Sequence, residues 1–176
     1  MDSLFSAIFS ADFISSVLRL STPILFAGLA ALITDKAGVI NIGLEGIMLS
    51  AALAGVVGSA FGGNAFVGLL LALVVGVAIG LLMAYFAIGL KTDIVLTGIA
   101  LNLMASGGTV FLLYVITKDK GMSTSLKSFT MPVIQLPLIK SIPVLGDILS
   151  GHNLLTYLAF LFTVLVWILL YRTPLG

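Results

Sequence analysis

The stretch Thr34-Asp35-Lys36-Ala37-Gly38-Val39-Ile40-Asn41-Ile42-Gly43-Leu44-Glu45-Gly46 is a polar interruption between two strongly apolar segments. Asp35, Lys36, Asn41 and Glu45 stand there among three glycines, too close to either flank for an ordinary loop. A charge at the centre of a bilayer costs about 2.5–3.5 kcal/mol on insertion scales, so charges at membrane depth persist where they face a cavity, a partner or a solute path. Asn41 and Glu45 are four residues apart, and in a helical turn they share one face. Two readings follow from these residues: the broken-helix site of a transport protein, or an interfacial loop.

Composition sets the class. Of 176 residues, 60% are hydrophobic and 9% charged, against about 25% charged in an average soluble domain. The chain is therefore read as an all-α, multi-pass membrane protein. A net charge of +1 offers no basic field for nucleic acid. The lack of cysteine excludes disulfides, thiolate metal sites and cysteine nucleophiles. No metal site and no cofactor are expected. The single histidine, His152, opens the last apolar run, where a solvated interfacial imidazole is expected rather than a catalytic one.

The spans follow from hydropathy. The first twelve residues lack the positive region of a cleaved signal, and Phe5, Ile8, Phe9 and Phe13 recur at helical spacing, as in a short interfacial helix. A first span is expected over residues 16–34, with Arg19 snorkelling and Pro23 in its first turns. Residues 37–44 and 46–61 are each short for a crossing but together reach membrane length, which predicts a second span broken around residues 43–46. Irregular backbone at that depth is tolerated only where protein buries it or water reaches it, and half-helix ends there offer unpaired groups to a ligand. Gly62-Gly63-Asn64 is a turn, and residues 65–90 a full span in which Ala72, Gly76, Gly80 and Ala84 form a packing stripe, matched by Ala51, Gly55 and Ser59. Lys91-Thr92-Asp93 is a tight polar turn. Residues 94–117 span again and carry Asn102, a mid-membrane amide that either bonds a neighbouring helix or contacts a polar solute. Residues 118–151, with four lysines, two aspartates and three prolines, form an extramembrane loop with short helices expected near 139–149. Residues 154–171 make the fifth span, ending in Trp167, Tyr171 and Arg172 as interfacial anchors.

Three stretches carry a resemblance. Ser21-Thr22-Pro23-Ile24-Leu25-Phe26-Ala27-Gly28-Leu29, the run from Lys36 through Asn41-Ile42-Gly43-Leu44-Glu45-Gly46 to Met48, and Tyr171-Arg172-Thr173-Pro174-Leu175-Gly176 resemble permease subunits of ABC importers for nucleosides and simple sugars, in the ribose and branched-chain amino acid permease superfamily. Ribose-type permeases carry Ile-Asp-Leu-Ser-Val-Gly where this chain reads Ile40-Asn41-Ile42-Gly43-Leu44-Glu45, and the difference points to the nucleoside branch. The resemblance implies a plasma-membrane subunit that does no bond chemistry. It implies pairing with a second permease subunit, docking of a cytoplasmic ATPase, and solute delivered by an extracytoplasmic binding protein. It puts the 118–151 loop outside and Lys91 and Arg172 inside, although lysine and arginine counts alone would put that loop inside. Family members have about twice the membrane content, so the chain is expected to be the N-terminal half of a longer or truncated permease.

A nucleoside or sugar has no net charge, and its path needs amide, hydroxyl and backbone partners instead of a charge clamp. The candidate path residues are Asn41, Gly43, Glu45 and Asn102, with Glu45 expected to pair with Lys36 and hold the break open. The competing readings are an ion-coupled carrier using Asp35 and Glu45, an inactive fragment, a membrane enzyme and a structural scaffold.

Overall fold

The computed structural model describes residues 10–119, 122–135 and 150–174. The interfacial helix expected over the first twelve residues and the short helices near 139–149 fall largely or wholly outside them. Five long helices are present: α1 (Ala11–Lys36), α2 (Leu44–Gly62), α3 (Ala65–Ala84, continued by a π-helical turn over Tyr85–Gly89), α4 (Ile94–Thr117) and α5 (Leu154–Arg172). All five are long and apolar enough to cross a membrane. Two short strands, β1 (Val133–Ile134) and β2 (His152–Asn153), pair antiparallel just before α5. Among the described residues, large apolar side chains are widely exposed, Leu20 at 72% and Ile88 at 79% among them. Such a surface suits hydrocarbon, where only helices with internally satisfied backbones are stable.

The chain divides into two compact units, one of residues 1–33 with 131–176 and the other Thr34–Thr130. In the first, α1 and α5 lie side by side. The Thr22 and Thr156 hydroxyls are hydrogen-bonded to each other at 3.1 Å, and Phe26 meets Phe162 edge to face with ring centroids 6.1 Å apart. Both contacts advance together along the two helices, so α1 and α5 run parallel, as the first and fifth of five successive crossings must. Thr22 and Thr156 are nearly fully buried, and their mutual bond is the glue expected of hydroxyls in an apolar interface. Pro23 sits inside α1 without ending it, while Thr22 also reaches the Leu18 carbonyl at 3.1 Å. The carbonyl that Pro23 leaves without its usual donor is that of Arg19, four residues back, and surrounding packing and local adjustment are what allow a proline inside a membrane helix.

His152 departs from expectation. It is 2% exposed instead of solvated: β2 pairs His152 with Ile134, and its imidazole meets the Tyr157 ring in a T-shaped contact, centroids 6.2 Å apart. Hydropathy carries no trace of this pairing, since its partner strand lies well upstream in the sequence.

In the second unit α2, α3 and α4 pack on small residues. α2 and α3 are antiparallel about a turn at Gly63, whose φ is +63°, and Asn64 caps α3 by accepting from the Phe66 N–H at 3.0 Å. A Cβ on Gly68 would fall 2.5 Å from the Gly55 carbonyl oxygen and 2.8 Å from the Ser59 Cβ, so only glycine permits this approach. α4 starts where expected because the Asp93 carboxylate accepts from the Val95 and Leu96 N–H groups at 2.8 and 3.0 Å. The helix stops at Lys118, which adopts a left-handed φ of +62°.

Candidate functional site

α1 continues through Thr34, Asp35 and Lys36, and the interruption itself is narrower than the quoted stretch. Residues 37–43 are non-helical, and α2 begins at Leu44. The break therefore precedes the second helix, where the sequence had suggested two half-helices meeting around residues 43–46. Gly38, with φ +77°, lets the chain leave α1, its N–H bonding the Asp35 carbonyl while that of Val39 bonds the Thr34 carbonyl. Depth can be gauged from α4: Gly43 lies against Gly98, four residues into that helix, or about 6 Å from its start at 1.5 Å per residue. The break thus sits toward one end of the spans and not at their midpoint.

Its geometry is set by Asn102. The Gly46 N–H donates to Asn102 Oδ1 at 2.7 Å, and Asn102 Nδ2 donates to the Ile42 carbonyl at 2.9 Å. The first turn of a helix leaves backbone N–H groups without partners, and a capping side chain normally supplies an acceptor. Here the residue at the cap position is Gly43, which has no side chain to offer. Asn102 supplies the cap from the neighbouring helix, and its amide satisfies a carbonyl of the break as well. Of the two roles open to Asn102, bonding a neighbouring helix is the one its amide fulfils.

Close approach makes this possible. A Cβ on Gly46 would stand 2.9 Å from both Asn102 Oδ1 and the Leu101 carbonyl oxygen, and one on Gly98 would stand 2.9 Å from the Gly43 nitrogen. Gly98 and Met83, whose sulfur would lie 3.0 Å from a Cβ on Gly43, were not among the residues picked out from sequence. A glycine in α4 gives no signal until its neighbour is known.

Asn41 and Glu45 do not share a helical face. Asn41 lies in the non-helical stretch and is half-buried, whereas Glu45 is exposed in the first turn of α2, where the helix dipole favours a carboxylate. Among the described residues no ion pair joins Glu45 to Lys36. Asn41 Oδ1 is buried with no hydrogen-bond partner among the described residues. Asn41 also lines a cavity of about 180 Å³ with Val39, Gly80, Met83, Ala87 and Ile94. The cavity is bounded on one side by the π-helical turn, closed by the Leu90 N–H on the Tyr85 carbonyl at 3.0 Å and by the Thr92 hydroxyl on the Phe86 carbonyl at 2.7 Å. Extra-residue turns of this kind recur at functional sites. The neutral lining, with one orphan amide oxygen, can recognise a hydrogen-bond donor on an uncharged solute. Among the described residues no cluster of acidic and histidine side chains could hold a metal ion.

Five apolar spans mark a multi-pass helical membrane protein, and its family match places it among transport proteins of the plasma membrane. The chain belongs to the family described as branched-chain amino acid transport system, permease component, whose model matches residues 13–176. It is 33% identical over 168 residues to a putative glucose ABC transporter permease protein of Haloferax volcanii, covering 96% of this chain and 50% of the relative. It is 29% identical over 170 residues to a nucleoside ABC transporter permease protein of Lactococcus lactis and, over the same length, 29% identical to a guanosine ABC transporter permease protein of Bacillus subtilis. Each of those alignments covers 93% of this chain and 53% of the relative. The chain spans about half the length of the curated relatives it matches. No solved structure matches it.

Proposed function

We propose that the chain forms the N-terminal part of the permease of an ATP-driven importer and lines the path of a nucleoside or simple sugar. The observation that carries this reading is the buried, unpartnered oxygen of Asn41 beside a small cavity with a neutral lining. An uncharged solute that brings N–H or O–H donors fits such a site. The relatives named for glucose, nucleoside and guanosine transport support the same solute class. In this reading a cytoplasmic ATPase subunit provides the energy, a second permease subunit completes the path, and an extracytoplasmic binding protein delivers the solute. The loop at 118–151 then faces the binding protein, and the Lys91 turn faces the cytoplasm. Asp35 and Glu45 are exposed at helix ends in this chain, which weighs against either as the buried carboxylate of an ion-coupled carrier.

The test is uptake of labelled guanosine and glucose by cells carrying the intact transporter, after ATP depletion and, separately, after collapse of the ion gradients with ATP maintained. Uptake lost with ATP and kept without gradients supports an importer; the opposite pattern assigns an ion-coupled carrier. Asn41→Ala is expected to reduce uptake at least tenfold while the complex still assembles, and undiminished uptake removes Asn41 from the path.

A further inference from the structure

We propose that Asn102 is a positioning residue: it fixes the backbone next to Asn41 and so holds Asn41 at the cavity, without touching the solute itself. The inference rests on the reading of Asn41 as a path residue. Its own basis is the two bonds of one amide. Asn102 Nδ2 holds the carbonyl of Ile42, the residue directly after Asn41, at 2.9 Å, and Oδ1 holds the Gly46 N–H at 2.7 Å. One side chain thereby grips the non-helical stretch on one side and the first turn of α2 on the other. An Asn uses its carbonyl and its NH2 in fixed opposition, so neither bond can shift without straining the other.

The rest of the surroundings depends on this grip. Gly43, at the cap position, makes no side-chain bond to secure the start of α2, and Asn41 Oδ1 makes none among the described residues to secure itself. Backbone fixation is then what keeps the half-buried Asn41 amide at the cavity wall. Asn102 does not line that cavity. A solute-contacting role for it would require giving up its bonds to the Ile42 carbonyl and the Gly46 N–H, leaving two backbone groups to find other partners.

The chain has no cysteine, so a thiol introduced into it is the sole thiol of these 176 residues, and its labelling is read on the digested peptide that carries it, apart from thiols elsewhere in the complex. In the intact complex in its membrane, Asn41→Cys is labelled with a small water-soluble maleimide with Asn102 present or changed to Ala. Ser59→Cys, nearly fully buried between α2 and α3, serves as the control for general loosening. Loss of two hydrogen bonds is expected to raise the labelling rate at position 41 about tenfold and to leave position 59 protected. Asn102→Asp, which keeps an acceptor toward Gly46 and as a carboxylate has no donor for Ile42, is expected to give a smaller rise at 41 and serves if the alanine variant fails to accumulate. Unchanged labelling at 41 in the variants that accumulate, or equal increases at 41 and 59, overturns the positioning role whatever uptake does. Uptake then tests whether Asn102 acts through Asn41. The double variant Asn41→Ala with Asn102→Ala is expected to take up solute no more slowly than Asn41→Ala alone, because coupled residues are not additive. A further tenfold loss in the double variant places Asn102 on the solute and overturns the inference. Normal uptake by Asn41→Ala refutes the proposed path instead, and the labelling result still decides the clamp.

Discussion

Replacing Gly46 with alanine tests the closest contact in the molecule that bears on the site. In an isolated helix the change is favourable by about 1 kcal/mol. Here the new methyl would stand 2.9 Å from two oxygens of α4, those of the Leu101 carbonyl and the Asn102 side chain, and 3.1 Å from the Asn102 Cα. Ordinary contacts lie near 3.5–4.0 Å, so α2 and α4 must part by roughly 0.5–1 Å. The backbone atoms among those neighbours cannot yield as a flexible side chain would. Overpacking of this kind costs about 1–3 kcal/mol. The same separation stretches the 2.7 Å bond from Gly46 to Asn102 to roughly 3.2–3.7 Å, at or beyond the ordinary limit, at about 1 kcal/mol more. Set against the propensity gain, the net destabilisation is about 1–3 kcal/mol. Gly28→Ala provides the comparison, because that glycine lies inside α1 with nothing within 4 Å of an added methyl, and the change should stabilise by about 0.5–1 kcal/mol. Unfolding by SDS in mixed micelles, followed by helical circular dichroism, measures both. If Gly46→Ala proves as stable as Gly28→Ala, the close packing of α2 on α4 at the break is refuted.

Asp93→Ala removes the cap of α4 and its two bonds to Val95 and Leu96; the expected loss is about 1 kcal/mol in the same assay, together with faster amide exchange confined to residues 94–97. Thr22→Val keeps the shape but deletes the buried bond to Thr156, for an expected cost of about 0.6–1.7 kcal/mol, and Thr156→Val should add almost nothing on top of it.

Much of the fold was readable because hydropathy and end signals coincide. Residues 94–117 were bounded correctly by Asp93 and Lys118, a polar cap at one end and a left-handed residue at the other. α1 runs two residues past its apolar stretch and starts several residues earlier than expected, since helix ends follow backbone hydrogen bonding and not hydropathy. The break was locatable from its crowding of glycine and polar residues. The choice between half-helix and extended backbone was not, because it depends on whether anything caps α2, and the cap comes from a residue 56 positions away. The same distance hid Gly98, whose small size matters only against Gly43. His152 was misjudged for a related reason: interfacial position in sequence says nothing about a strand partner distant in the chain.

The amide that joins α2 to α4 also restricts how these helices can move. Sliding one along the other by a single turn would strip two peptide groups of their partners in a medium with few replacements. Any rearrangement of the chain must therefore carry the start of α2 and the adjoining turns of α4 together as one lever, leaving the bending to be absorbed elsewhere. The π-helical turn at the end of α3 supplies a neighbouring place for it, since a backbone that already holds one extra residue per turn can shed or shift it at little cost.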